Sequence, residues 1–342
     1  MNQSSADAAA TLRGLANGLR AAQALFVAAQ LRVADHLGPQ PRNREELAVL
    51  TGADSAALGR LMRTLCALGI FEEGTSGQFS LTSVGQLLRS DVPGSYHAGV
   101  LFLAGPLRWQ CWSQLLETVR TGANASERML GMQLFDYYMA HPEESKIHDE
   151  AMRAFSASHA KMILDVTDFK PGEVVVDVGG GSGELLSAIL AANPGVRGTL
   201  FDLPNVVEHA DRVLSASKVA EYCTVEGGSF FERIPGHGDT YLLKQVLHDW
   251  DDERAIAILR CCRQYMPPTA KLLIIERNMP EVADAAAAME SFFADLEMLV
   301  MTPGGRERTA REFSELLERS GFSLMRAVPT ASPLSVFEAR AG

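Results

Sequence analysis

The sequence predicts an α/β protein: a parallel sheet covered by helices on both faces, with an antiparallel hairpin at one edge. An all-helical segment ending in a small two-stranded wing precedes it. Three observations predict this. From Lys170 onward, short β-branched or apolar runs alternate with helical runs, and that grammar implies parallel strands joined by crossover helices. Before Lys170, Ala- and Leu-rich helical periodicity dominates. The chain has 342 residues, 47% apolar and 21% charged, which gives room for two domains at about 150 residues each.

The elements follow in order. Residues 1 to about 37 read as helix, with Leu12, Leu15, Leu19, Ala22 and Phe26 at helical spacing, stopped by Gly38-Pro39. Asn43 followed by Glu45 and Glu46 is a helix start with acids in the first turn. Asp54 caps a further helix that Gly69 ends, and the stretch Ile70–Thr82 alternates and turns at Gly74 and Gly77. Short helices followed by such a wing form a winged-helix pattern. Residues 83 to about 165 are again mostly helical and rich in Met and aromatics. Candidate strands are Glu173–Val178, Gly198–Phe201, Tyr222–Val225, Thr240–Lys244 and Lys271–Glu276. Candidate helices are Gly183–Ala192, Val206–Ala216, Asp252–Tyr265 and Ala310–Ser320, and Phe322–Ala327 with Ser335–Ala339 form the edge hairpin. The expected divisions are 1–100, a helical linker at 101–165, and 166–342.

Composition narrows the function. The net charge is −11, a poor match for phosphate or anionic lipid, both of which need clustered Lys and Arg. Residues 1–100 hold eight Arg, no Lys and eight acids, so the winged helix lacks the basic stripe of a DNA reader. That disfavours a transcriptional regulator. Five cysteines without a CxxC spacing point to neither a disulfide framework nor a zinc site. No apolar run approaches the ~18–20 residues that span a bilayer, and no secretory signal opens the chain. The expected location is cytoplasmic, with no membrane and no nucleic-acid partner.

Four constellations carry chemistry. Asp177–Leu186 runs from a strand through a glycine turn into a helix. Gly179, Gly181 and Gly183 give GxGxG, whereas the dinucleotide fingerprint fails at Glu184. That spacing suits a nucleoside ligand without a pyrophosphate. Asp202 ends the next strand, where an acid holds ribose hydroxyls or caps the following helix. His248 follows an apolar strand, ahead of Asp251 or Asp252 as a helix cap. Alone, it reads as structural as readily as catalytic. Its acidic neighbours could be mistaken for a metal site, yet adjacent acids rarely converge on one ion. Glu276 ends a buried strand, either paired or functional. Gly179, Asp202, His248 and Glu276 all fall at the carboxyl ends of predicted parallel strands, the edge where open α/β sheets place ligands. That convergence argues for an enzyme.

The segments DVGGGSGELL, FDLPNVVEHA, GGSFFERIP, LLKQVLHDWDDERAIAILRCC, LLIIERNMP and GGRERTAREF together resemble the S-adenosylmethionine-dependent O-methyltransferases of the plant caffeate/hydroxyneurosporene type. The likeness is greatest to bacterial members acting on phenolic natural products. The resemblance implies a Rossmann-like class I methyltransferase sheet and an N-terminal winged-helix domain that forms a homodimer. It implies S-adenosylmethionine as cofactor, S-adenosylhomocysteine as product and no metal. Gly179, Gly181 and Gly183 would cradle the methionine part of the cofactor. Asp202 with Leu203 would take the ribose, Ser229 and Phe230 would flank adenine, Lys244 would line the pocket, and Ser156 would reach the carboxylate. His248 matches the family's general base, and Glu276 and Glu307 the two acids that orient it. An acceptor pocket would draw on Trp109, Phe135, Tyr138, Met152, Phe292, Met298 and Thr302. Ser229 and Thr302 stand where plant members usually carry an acid and Asn, so plant acceptors do not transfer to this chain. Some relatives of this fold use the cofactor for hydroxylation or decarboxylation; the joint presence of His248, Glu276 and Glu307 argues against that here.

Overall fold

A computed structural model describes residues 5–208, 210–283 and 289–342. Its main sheet is built from β1 (Val174–Val178), β2 (Arg197–Asp202), β3 (Cys223–Gly227), β4 (Thr240–Lys244), β5 (Lys271–Met279), β6 (Phe322–Pro329) and β7 (Leu334–Ala341). The strand order is β6-β7-β5-β4-β1-β2-β3. Contacts among β1 to β5 are parallel, and β7 pairs antiparallel with both β5 and β6. A two-residue strand, Arg308–Thr309, joins the far end of β5 in parallel. This is the predicted α/β sheet with its antiparallel edge hairpin.

Period-two alternation explains why both faces are covered. Val176, Val178, Leu243, Leu272 and Ile274 face one apolar cluster. Their strand neighbours Val175, Leu242, Leu273 and Ile275 face the other. Helix Asp252–Tyr265 packs on the first face through Ala255, Ile256 and Leu259. Helix Glu184–Ala192 packs on the second through Leu185, Leu186 and Ile189.

The chain folds into two compact units, residues 1–110 with 143–154, and residues 111–142 with 155–342. In the first, helices Ser5–Gln30, Val33–Leu37, Arg44–Thr51 and Ser55–Ala67 precede the wing strands Phe71–Glu73 and Gln78–Leu81. Asn43 closes a full capping box with Glu46, and Asp54 caps through Ala57 N, so both predicted helix starts are present. Leu37, Leu47, Met62, Leu65, Phe71 and Phe79 form the core of this unit.

Three features depart from the sequence expectation. The first helix does not run unbroken to residue 37: Arg32 adopts φ 52, and helix Val33–Leu37 starts anew. Nothing in side-chain spacing signals a single left-handed residue inside an apolar pattern. The helix expected over Val206–Ala216 is two pieces, Pro204–Val207 and Ala210–Ala216; His209 lies outside the described residues. Helix Met289–Met301 was not among the candidates. It is apolar nearly all round, so it lacks the amphipathic signature that marks a surface helix.

Candidate active site

The glycine turn is built by space as well as by dihedral. Gly179, Gly181 and Gly183 have φ of 72, 60 and 86, left-handed values that side chains other than glycine rarely adopt. A Cβ on Gly180 would fall 2.5 Å from Leu200 Cδ1 and 2.8 Å from Asp177 Oδ2. Gly181 has nothing within 4 Å on that side, so its backbone is open to a ligand. Gly181 N donates to Asp202 Oδ2 at 2.8 Å, and Leu203 N donates to Oδ1 at 2.7 Å. The two backbone donors fix the Asp202 carboxylate at the end of β2. A Cβ on Gly179 would meet Phe230 Cε1 at 3.5 Å, which places that ring against the loop. Phe230 also packs on Phe231 and edge-on to Trp250. The Ser229 hydroxyl accepts from Phe231 N at 3.3 Å.

Lys244 ends β4 and is half-buried. Its ammonium donates to Ser156 Oγ at 3.0 Å and to Gln245 Oε1 at 2.9 Å. Burial pushes Lys244 down to about 8, against the pull of Asp177 and Glu276. The loop, Asp202, Phe230, Lys244 and Ser156 thus meet at one end of the sheet. A nucleoside with a cationic, amino-acid tail fits such a set: bare backbone at Gly181, a fixed carboxylate for hydroxyls, and an aromatic ring beside them.

His248 sits in a single-turn 3-10 segment, Leu247–Asp249, just past β4. Its Nδ1 lies 3.0 Å from Glu307 Oε1 and 3.7 Å from Glu276 Oε2. Its Nε2 is 3.7 Å from Asp249 Oδ1, too far for a hydrogen bond. Nδ1–H donation to Glu307 therefore leaves Nε2 as the nitrogen that gains or loses the second proton. Both glutamates are buried. Glu276 Oε1 accepts from Val246 N and Leu247 N at 2.9 Å, and more loosely from His248 N at 3.4 Å. Burial works against a charged imidazole, but the carboxylates of Glu276, Glu307 and Asp249 outweigh it and hold His248 well above its ordinary value. Burial likewise raises Glu276, with His248 opposing.

No sequence signal marks the residues that hold this pair together. Arg308 is fully buried. Its guanidinium donates to Leu247 O at 2.9 Å, Trp250 O at 2.8 Å and Asp252 Oδ1 at 2.8 Å. It ties the His248 turn to the segment carrying Glu307. Arg306 N reaches His248 O at 2.8 Å, and Glu307 N donates to Asp295 Oδ1 at 2.9 Å. Gly305 makes the approach possible, since a Cβ there would lie 2.5 Å from His248 O. A lone arginine in a polar run carries no sequence signal of burial.

The acceptor candidates are dispersed. Phe135 and Thr302 line one narrow crevice with Gln133, Asp249, Trp250 and Met301. Tyr138 is buried and stands edge-on to Phe135. The Thr302 hydroxyl is engaged by Met298 O at 2.8 Å. Phe292 and Met298 lie on helix Met289–Met301. Trp109 and Met152 belong to the other compact unit.

Fold and site together define a class I methyltransferase: a glycine-turn nucleoside cradle and a buried histidine on the carboxyl rim of a 6-7-5-4-1-2-3 sheet. Its cofactor is S-adenosylmethionine. Residues 112–323 match the O-methyltransferase domain family, and residues 14–91 match the O-methyltransferase dimerisation domain. The chain belongs to this O-methyltransferase family. It is 43% identical to phenazine O-methyltransferase PhzM of Lysobacter antibioticus over 93% of this chain and 92% of that one. It is 40% identical to O-demethylpuromycin-O-methyltransferase of Streptomyces alboniger over 94% and 86%. Among solved structures, it resembles the S-adenosylhomocysteine-bound methyltransferase CalO1 of calicheamicin biosynthesis, at TM-score 0.85, 34% identity and full coverage of both chains.

Proposed function

We propose that this enzyme moves the methyl of S-adenosylmethionine to a phenolic hydroxyl of a small aromatic natural product, with His248 as general base and no metal. The observation that carries the reading is the Nδ1 contact of His248 with Glu307 at 3.0 Å, with Glu276 behind it. A neutral phenol, with a pKa near 10 like tyrosine, is a weak nucleophile. Nε2 of His248 takes its proton as the oxygen attacks, and the two carboxylates fix the tautomer and stabilise the imidazolium. When bound, the cofactor supplies an electrophilic methyl on a sulfonium. Gly179, Gly181, Gly183, Asp202, Leu203, Ser229, Phe230, Lys244 and Ser156 hold the cofactor. Glu276 and Glu307 retain a proton on His248, and its release leaves Nε2 as the base.

Relatives named for a phenazine and for a dihydroxynaphthoate favour a flat aromatic acceptor for this enzyme too. Phe135, Tyr138, Phe292, Met298, Thr302, Trp109 and Met152 are the proposed lining, a set of aromatic and thioether surfaces suited to a flat ring. Residues 1–100 serve as the dimerisation domain, 101–165 as a helical linker and 166–342 as the catalytic domain. The protein works in the cytoplasm.

One atom in each of His248, Glu276 and Glu307 lies within 4.8 Å of the others, a grouping that could hold an ion. The 3.0 Å hydrogen bond and the Arg277 guanidinium 3.7 Å from Glu307 favour the metal-free reading, since a guanidinium repels a second cation. The test is transfer of labelled methyl to a panel of phenazine, naphthol and hydroxybenzene acceptors, with and without chelator. Wild type should be active and indifferent to chelation. His248→Ala should lose about 10²–10⁴-fold in kcat, the range for a positioned base, while calorimetry shows unchanged cofactor affinity. Loss of activity on chelation, restored by a divalent cation, would overturn the metal-free reading.

A further inference from the structure

Buried polar atoms without a hydrogen-bond partner among the described residues are Thr118 Oγ1, His159 Nδ1, Asp177 Oδ1, Glu276 Oε2, Arg277 Nη1 and Glu307 Oε2. Native interiors leave few such atoms, so the five other than Thr118 Oγ1, gathered about β1, β4 and β5, mark a polar site. Asp177 underlies the glycine loop, and the two glutamates serve His248. Arg277 and His159 have no part in the chemistry so far described.

Arg277 follows Glu276 on β5 with a largely buried side chain. Its Nε lies 3.7 Å from Glu307 Oε1, and its Nη2 lies 3.3 Å from Glu290 Oε1. Two edges of the guanidinium therefore face carboxylates, and the third, at Nη1, is buried with its donors unmet. His159 stands one turn beyond Ser156 on helix Pro142–Leu164. Burial, then the charges of Lys244 and Arg277, push it down to about 4. It is a neutral imidazole within electrostatic reach of both cations.

We propose that Arg277 Nη1, assisted by His159, selects acceptors that carry a carboxylate or ring-carbonyl oxygen beside the hydroxyl to be methylated. This rests on the methyl-transfer reading above. A guanidinium donor in a dry site costs free energy until an oxygen meets it. An acceptor lacking that oxygen leaves the donor bare, and sites built this way reject such analogues far more strongly than apolar pockets reject a missing methylene. The in-plane N–H bonds of Nη1 also set the ring's rotation, and so the hydroxyl's approach to His248 Nε2.

The test uses three acceptors on one hydroxyarene ring: with a carboxylate, with a ketone carbonyl, and with hydrogen at the neighbouring position. Wild type should favour at least one oxygen-bearing acceptor over the unsubstituted one by roughly tenfold or more in kcat/KM. The carboxylate and ketone arms show which oxygen is preferred. Arg277→Met should collapse that ratio towards one, chiefly through KM for the oxygen-bearing acceptor, and His159→Phe should reduce it partly. If Arg277 merely buttresses Glu307, Arg277→Met will lower kcat by one common factor for all three and preserve the ratio, which overturns the proposal. A wild type that does not discriminate overturns it as well. Calorimetric binding of the same acceptors in the presence of S-adenosylhomocysteine reads the preference without turnover. A preference there with no methylation would refute the activity while leaving the selectivity standing.

Discussion

Asp177 looks in the sequence like one more residue of a buried strand, and the structure makes it a titrating group. Its side chain is buried, Oδ1 finds no partner, and Gly180 leaves just enough room for the carboxyl beneath the loop. Burial raises it to about 7, with Lys244 opposing and Asp202 assisting. A carboxyl whose folded pKa lies above its unfolded one holds its proton more tightly when folded, so stability falls as pH rises from near 4 through about 7. Asp177→Asn should remove that slope. Thermal melts from pH 5 to 8 would show the variant gaining on wild type towards pH 8, and parallel curves would sink the idea. At this scale the sequence was partly legible. GxGxG, Asp202, His248 and Glu276 stood out because each ends an apolar run with a residue that does not belong in one. Arg277, Arg308, His159 and Asp295 did not, because their roles come from partners remote in the chain: Arg308 meets Asp252 across 56 residues.

The two carboxylates around His248 come from different kinds of element. Glu276 stands in β5, whose parallel and antiparallel neighbours fix it on both sides. Glu307 stands on a connecting segment held by the two-residue pairing of Arg308–Thr309 with β5 and by the capping box of Thr309 with Glu312. The segment carrying Glu307 depends on the Arg308 clamp. Arg308→Met leaves the carbonyls of Leu247 and Trp250 without their donor, and an acceptor left unmet inside the protein costs about 1–3 kcal/mol, whereas the half-exposed Asp252 turns to solvent. Denaturant titration should show a loss of that order, and partial recovery with Arg308→Lys, which keeps the charge but not the fork. A loss below about 1 kcal/mol, the scale of an exposed pair, would show that the clamp contributes little. Strands were legible here because alternation splits each one between two cores. Helix Met289–Met301 was not, because a helix apolar nearly all round has no periodic edge to read.

On the scale of the whole molecule, the first helix carries Leu12, Leu15 and Leu19 at 69%, 67% and 52% exposure. An exposed apolar stripe of this kind marks an interaction surface, and the dimerisation-domain match, residues 14–91, covers Leu15 and Leu19. Replacing Leu12 and Leu15 together with Asp should turn a stable dimer into a dissociating or unfolded species by sedimentation. A double variant that remains a dimer at micromolar concentration would place the interface elsewhere. No helix among the described residues is long and apolar enough to cross a membrane. The start of the parallel sheet at Val174 was legible from the change of grammar near residue 170. The membership of residues 143–154 in the first unit was not, because one unbroken helix, Pro142–Leu164, belongs to each unit in turn.

The order in which these parts lie along the chain has a consequence for synthesis. The glycine turn and Asp202 form one local strand–helix–strand unit, with Gly181 meeting Asp202 across 21 residues. His248 meets Glu307 only across 59. A ribosome therefore finishes the glycine turn and Asp202 roughly a hundred residues before the last carboxylate of the base emerges. A message broken before codon 307 would yield, at most, a sink for the cofactor with an incomplete base.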